Sequence, residues 1–256
     1  MRKKWKRFGA ALLATALVLA QVVPFFSWDP GRAIPADGGG PDMIDAPPDI
    51  ARSGGTKLIA LTFDDGPRRT TTTRLLDGLA QRGVRATFFL MGKNVEVNQD
   101  LVLRMETEGH QVGIHTYDHR RNLLNVNRAD FAAQVDRTRD ILAEILGHED
   151  FYLRPPYGLT DSGVKKWAGA PIILWSIDPE DWGDQNAERE VALIAGKARD
   201  GDIILMHDIF EPTVEAALRV VDLLHGQGFY FVTVKELFDQ KHIPLAEGEI
   251  YRNAYS

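Results

Sequence analysis

The sequence predicts an α/β protein whose strands form a parallel sheet closed, or nearly closed, into a barrel. Three observations predict it. From residue 57 onward, short continuous apolar runs alternate with amphipathic helical stretches. The alternation repeats six or seven times, which favours closure of the sheet over an open one. The residues able to do chemistry fall just after the apolar runs, where parallel strands present their carboxyl ends.

In chain order, the first stretch reads as an export segment. Arg2, Lys3, Lys4, Lys6 and Arg7 precede an apolar run over 8–20, and no further charge occurs until Asp29. A positive start, an apolar middle and small residues at Val18-Leu19-Ala20 mark a signal peptide cleaved before Gln21. The uncharged stretch 8–28 is also about long enough to span a bilayer as an anchor, although Gln21 and Pro24 weaken a full span. Residues 1–28 are therefore expected to be a signal peptide or an N-terminal membrane anchor. In both cases the bulk of the chain is expected beyond the cytoplasmic membrane, secreted or held at its outer face. The chain has no cysteine, so it needs no disulfide and cannot be a lipoprotein. Pro30, Gly31, Pro35, Gly38-Gly39-Gly40, Pro41, Pro47-Pro48 and Gly54-Gly55 interrupt any regular pattern, which predicts a linker over 29–56.

The runs 58–63, 86–90, 111–114, 172–177, 203–206 and 229–232 are short and largely apolar, as expected for strands buried on both faces. Between them, Phe131, Val135, Thr138, Leu142 and Ile145 recur at helical spacing, with Asn127 placed to cap the helix and Gly147 to end it. Val214, Leu218, Val221 and Leu224 make a second stripe, with Pro212 suited to its first turn. These stripes are core faces. One domain is expected over 57–240, followed by a C-terminal tail over 241–256. The formal charge is −6, and it becomes −11 once residues 1–20, which contain five bases and no acid, are set aside. So acidic a domain is not expected to bind nucleic acid.

Five short blocks carry the chemistry: 62–67, 115–119, 154–158, 178–182 and 205–207. The carboxylate pair Asp64 and Asp65 and the histidines His115 and His119, four apart, can hold one metal with three protein ligands. That leaves an open position for water and a spare carboxylate as base. Arg154, Asp178, Asp181 and His207 supply a guanidinium, further carboxylates and a third histidine. The pattern is that of a hydrolase. An amide resists hydrolysis because its carbonyl is a poor electrophile and its nitrogen a poor leaving group. A site that cleaves it needs a Lewis acid, a base for the water and a cationic acid for the nitrogen.

As a set, these blocks resemble the polysaccharide deacetylases of carbohydrate esterase family four, with the NodB-type homology domain, over about 57–240. The family fold is a distorted (β/α) barrel, often of seven parallel strands. The resemblance implies that Asp65, His115 and His119 bind one divalent metal ion, zinc in the first place and cobalt, manganese or nickel as alternatives. It implies Asp64 as general base oriented by Arg154, and His207 as general acid tethered to Asp181. It further implies that the Tyr157 backbone N–H helps hold the oxyanion and that Trp182 and Leu205 line an acetyl pocket. Gly66 and Pro67 shape the turn that aims the two aspartates. Ile114 and Arg120 depart from common family residues beside the histidines, at positions that are not ligands.

The implied activity is hydrolysis of N-acetyl groups on a glycan, peptidoglycan or chitin-like N-acetylglucosamine, leaving free amines. The polymer is the expected partner, with a monomeric enzyme acting at the cell wall. The runner-up is an O-acetyl esterase on xylan or another acetylated polymer. Ester cleavage needs the acid less, so the complete His207–Asp181 pair favours the amide. Two histidines and a carboxylate also suit a non-haem iron oxygenase, but the spare Asp64 speaks against it. A catalytically dead glycan-binding module would be expected to have lost Asp64 or His207. His110, His148, His225 and His242 are assigned to the surface or to local hydrogen bonds. Asp178 fits equally a supporting buried acid or a cap, and Asp118 is expected to stand outside the ligand set.

Overall fold

The computed structural model describes residues 56–119 and 122–255. The expected signal or anchor segment, nearly all of the linker, and Arg120 lie outside these residues. Among the described residues, no helix is long and apolar enough to cross a membrane.

Strand β1 (Lys57–Asp64) is the spine. It pairs in parallel with β2 (Thr87–Leu90) and with β6 (Phe229–Phe231), and on the other side with β5 (Ile203–His207). Beyond β2 lies β3 (Gln111–Ile114), also parallel. A second, two-stranded piece joins β4 (Ile172–Ile173) to β7 (Ile250–Tyr251). Single parallel bridges Ile114 to Leu153, Leu153 to Ile172, and Ile177 to Ile204 connect the two pieces. Pairing thus passes from β3 through Leu153 and the 172–177 segment back to β5. The distortion lies there, where isolated bridges replace continuous ladders.

Two differences from the sequence expectation are instructive. The apolar run 172–177 is a strand only at its first two residues, and the Leu174 N–H to Tyr251 O bond at 2.7 Å closes its short parallel ladder with β7. The C-terminal stretch, expected as a tail, supplies β7. Gly248 makes this possible: with φ +71° it passes the Lys165 carbonyl so closely that a Cβ would lie 2.4 Å from that oxygen. The predicted helix over 128–146 is divided at Val135 (φ −98°, ψ −53°) into α4 (Arg128–Gln134) and α5 (Asp136–Leu146). At the division, Gln134 Oε1 accepts from the Tyr117 and Asp118 N–H groups at 3.2 and 3.3 Å, supporting the loop between His115 and His119.

Alternation along the strands sorts side chains into two layers. From β1, Ile59, Leu61 and Phe63 join the larger core beneath the helices. Leu58 and Ala60 face inward with Phe89, Tyr152, Ile173 and Ile203 and fill the barrel interior. Burying each large side chain stabilises the fold by about 1.5–3 kcal/mol. Continuing the period, Thr62 and Asp64 on β1, and Leu205 and His207 on β5, share the inward face. The apolar interior therefore ends in a layer of polar groups at the strands' carboxyl ends. Outside, α1 (Arg69–Gln81) and α8 (Ala187–Lys197) pack against α9 (Glu211–Gly226). The last helix, α10 (Val234–Gln240), begins with a capping box between Thr233 and Glu236. The short helices are α2 (Gly92–Val95), α3 (Gln99–Thr107), α6 (Ser162–Trp167) and α7 (Asp181–Asp184).

Candidate active site

The register of β1 and β5 pairs Asp64 with His207. Adjacent strands are about 4.8 Å apart, so a carboxylate and an imidazole stand side by side at the rim of the barrel. Each has its own buried partner of opposite charge.

On the Asp64 side, Arg154 is fully buried and its fork is almost fully engaged. Nη1 donates to Asp64 Oδ1 at 2.8 Å and to Thr62 Oγ1 at 2.7 Å, Nε to Ile173 O at 3.0 Å, and Nη2 to Leu174 O at 3.1 Å. The guanidinium lies 4.1 Å from the Phe89 ring centroid and 5.7 Å from that of Trp175. It is a fixture of the core and not a surface arginine. Burial raises the Asp64 pKa above the ordinary carboxylate value, against the opposing pull of Arg154, His207 and His119. Arginine therefore favours the ionised form, as expected, but burial outweighs it and makes Asp64 a stronger proton acceptor.

On the His207 side, Asp181 is fully buried. Its Oδ1 bonds His207 Nδ1 at 2.8 Å, and its Oδ2 accepts from His207 N at 2.7 Å and from Thr213 Oγ1 at 2.9 Å. Burial pulls the His207 pKa down. The hydrogen bond and charge of Asp181, with Asp64 and Asp65, outweigh it and raise the value to about 9. His207 is a cation at neutral pH.

Next to this pair, ligand atoms of Asp65, His115 and His119 all lie within 4.8 Å of one another. Asp65 Oδ1 is 3.6 Å from His115 Nε2 and 4.0 Å from His119 Nε2, and it is buried without a hydrogen-bond partner among the described residues. Ligands at about 2.0–2.2 Å from a tetrahedral ion stand about 3.4 Å apart, so the spacing suits a cation. His115 Nδ1 faces Arg154 O at 2.6 Å. A carbonyl only accepts, so Nδ1 carries the proton and Nε2 keeps its lone pair for a ligand. Burial drives the His115 pKa down to about 3, which leaves the ring neutral, as metal binding requires. The residues fit a divalent ion.

The loops that carry these groups are bent out of ordinary conformations. Asp65, Thr116, His119 and Tyr157 have φ of 71°, 86°, 54° and 60°. Such geometry costs about 1–3 kcal/mol per non-glycine residue and concentrates at functional sites. The Asp65 turn is held by Asn94 Nδ2 on Asp65 O at 2.8 Å and by the Met91 N–H on Gly66 O at 3.0 Å. Gly66 is required because a Cβ there would lie 2.4 Å from Asp208 Oδ1.

The structure thus brings together Asp64, Asp65, His115, His119, Arg154, Asp181 and His207. Tyr157 joins them at the surface, its ring edge-on to His119 at 4.9 Å. Trp182 stands more than half exposed at the start of α7, whereas Leu205 is buried in the barrel wall two residues before His207. Asp178 is half-buried and closes a local turn, accepting from the Glu180 N–H at 2.8 Å, without capping α7. His110 is a satisfied core histidine whose Nδ1 accepts from Ala86 N at 3.0 Å. Sequence reasoning missed Thr62, Asn94, Thr213 and Asp208. Only Thr62 carried a sign, as a hydroxyl in an apolar strand on the same face as Asp64.

The polysaccharide deacetylase family profile matches residues 51–170. The peptidoglycan-N-acetylglucosamine deacetylase PgdA of Listeria monocytogenes is 39% identical over 194 residues, 76% of this chain but 41% of that protein. This chain therefore spans about two fifths of the length of that relative. A peptidoglycan-N-acetylglucosamine deacetylase of Bacillus cereus is 39% identical over 199 residues, covering 73% of this chain and 90% of its own length. Among solved structures, a family 4 acetyl xylan esterase from Clostridium thermocellum in complex with a cobalt ion superposes with a TM-score of 0.72 at 30% identity, covering 77% of this chain and 98% of that one. With relatives 30% or more identical matched along 90% and 98% of their own length, the chain belongs to the polysaccharide deacetylase family.

Proposed function

We propose that the domain from residue 57 onward catalyses metal-dependent removal of N-acetyl groups from a cell-wall glycan, releasing acetate and leaving free amines. One observation carries the reading. Asp64 and His207 face each other in register, each tied to a buried partner that favours its working protonation state, beside three converging metal-ligand atoms. Asp65, His115 and His119 hold the divalent ion, for which zinc is our assignment from the one-carboxylate, two-imidazole donor set. Bound there, the ion would supply Lewis acidity to the acetyl carbonyl and to the attacking water.

Asp64 takes the water's proton, and Arg154 keeps the carboxylate aimed. The Tyr157 backbone N–H receives the charge that develops on the acetyl oxygen. His207 protonates the sugar nitrogen as it departs, and Asp181 keeps that proton available at neutral pH. Leu205 and Trp182 bound the acetyl methyl and exclude longer acyl chains by steric clash. Residues 1–28 carry the enzyme across the membrane to its polymer. The peptidoglycan deacetylases among its relatives, one of them matched along 90% of its length, support the choice of N-acetylated wall glycan.

The test is acetate release from purified peptidoglycan, chitin oligomers and acetylated xylan, with and without chelator. N-acetylated polymers should release acetate, chelation should abolish release, and added zinc should restore it. Acetate from xylan alone would instead make the chain an O-acetyl esterase. Chain shortening without acetate, or full activity in chelator, would reject the proposal.

A further inference from the structure

Behind the acid half of the site lies a carboxyl that the proposed reaction does not use. Glu190 sits in the first turn of α8 and is 0% exposed, yet neither of its oxygens is hydrogen-bonded by any described residue. Partnerless buried carboxyls are uncommon because desolvation goes uncompensated.

The preceding residue shows what this turn holds. Arg189 Nη1 donates to Pro179 O at 2.6 Å, its Nη2 donates to Glu180 O at 3.1 Å, and its guanidinium pairs with Asp184 at 2.7 Å. These three partners flank Asp181 and Trp182, so α8 clasps the loop that carries Asp181. A helix turns about 100° per residue. Arg189 therefore holds the loop from outside while Glu190 is directed into the protein. Among charges, Asp181 acts on Glu190 most strongly, followed by Arg189 and Asp184; burial and Asp181 together raise its pKa to about 7. On the neighbouring helix α9, Thr213 is already engaged with Asp181. A charged pair across the α8–α9 seam, Glu188 with Arg219 at 2.7 Å, lies on the exposed side.

We propose that Glu190 is a positioning residue that acts on His207 through Asp181. Its carboxyl, buried without a partner among the described residues on the turn whose Arg189 clasps the loop carrying Asp181, switches between neutral and charged forms and so determines how firmly the Asp181–His207 pair holds its proton. The sign follows from electrostatics. Ionised Glu190 adds negative charge behind the pair, which favours the His207 cation and keeps the acid protonated to higher pH. Neutral Glu190 withdraws that support. His207 loses its proton in the alkaline range, where Glu190 is already charged, so removing Glu190 lowers the His207 midpoint. The catalytic consequence rests on His207 being the acid; the coupling itself does not.

The test is an NMR titration of the His207 imidazole in the zinc-loaded full chain, beside the pH profile of amide hydrolysis. In the unaltered protein, His207 should show a minor inflection coinciding with the titration of the Glu190 carboxyl carbon. Glu190→Gln and Glu190→Met should each lower the His207 midpoint on the order of one pH unit, and the alkaline limb of activity should move with it. Glu190→Asp, which keeps the charge, should retain most of the shift. An unmoved midpoint in the Gln and Met variants, or no His207 response to Glu190 ionisation in the unaltered protein, would overturn the proposal. If His207→Ala left amide hydrolysis intact, the acid assignment would fail, while the NMR coupling would still decide the role of Glu190.

Discussion

Asp64, buried, and His207, half-buried, each stand beside a partner of opposite charge, yet they are tuned in opposite senses for their proposed tasks. For Asp64, burial exceeds the pull of Arg154, so the carboxylate gains basicity while staying aimed. Asp64→Asn removes the proton acceptor but no ligand. It should leave the bound metal content unchanged and lower kcat by about 10²–10⁴-fold, measured by metal analysis and steady-state kinetics on one preparation. Loss of the metal together with activity would instead place Asp64 among the ligands. For His207, the raised value of about 9 depends on Asp181 more than on any other group. A proton donor works only below its pKa, so amide hydrolysis should persist at neutral pH and fall as pH rises through about 9. Asp181→Asn should move that alkaline limb down by more than about one pH unit, toward the ordinary histidine value. A limb that stays near its original position would sever Asp181 from the acid. Stability follows the same sign. The contribution of the Asp181–His207 pair is complete below the unfolded histidine value of 6.5 and is lost as pH rises toward about 9.

Among elements, the turn after β1 decides where the metal ligands point. Its carbonyls are held from the Met91–Asn94 side and its underside rests on Asp208, which bonds Thr72 at the start of α1. Gly66→Ala forces a methyl group into the Asp208 carboxylate, so the turn must shift and carry Asp65 with it. We expect metal affinity to fall by about 10- to 100-fold, as when other groups supporting a ligand are disturbed, while the far-UV circular dichroism stays unchanged. Titration with zinc against a competing chelator reads this directly, and equal affinity would show that Asp65 does not depend on the turn. The division of the 128–146 helix serves the same end on the other side of the site, since it directs Gln134 beneath the histidine loop.

For the whole molecule, the last residues complete the barrel. β7 pairs with β4 in the irregular region, Asn253 bridges Asp202, and the Tyr255 hydroxyl bonds the buried Asp202 carboxylate, which also accepts from Ser176. Deleting residues 248–256 should expose Ile172 and Ile173 and leave Asp202 short of a partner. The melting temperature should drop by roughly 10 °C, measured by calorimetry on protein with and without the deletion. An unchanged transition would make this segment an appendage.

How much of this was legible depended on whether the cause was local. The runs at 58–63, 86–90, 111–114, 203–206 and 229–232 announced strands because burial on both faces demands largely apolar sequence, and that demand is met within each run. The Asn127 cap and the Gly147 stop were legible for the same reason, being chemistry of adjacent residues. By itself the sequence determined the alternating α/β order, the placing of reactive groups at strand ends, and a set of residue types able to bind a metal and move protons. Tertiary structure alone decided which of those groups meet. The β1–β5 register set Asp64 against His207, a pairing between residues 143 positions apart that no local pattern encodes. The partner of β4 is β7, about 78 residues further along the chain, which no local pattern encodes either. Nothing in the sequence sets Glu190 and Asp208 apart from the other acids, because charge is a property of the residue. Burial is a property of what packs over it, and only the folded chain supplies that.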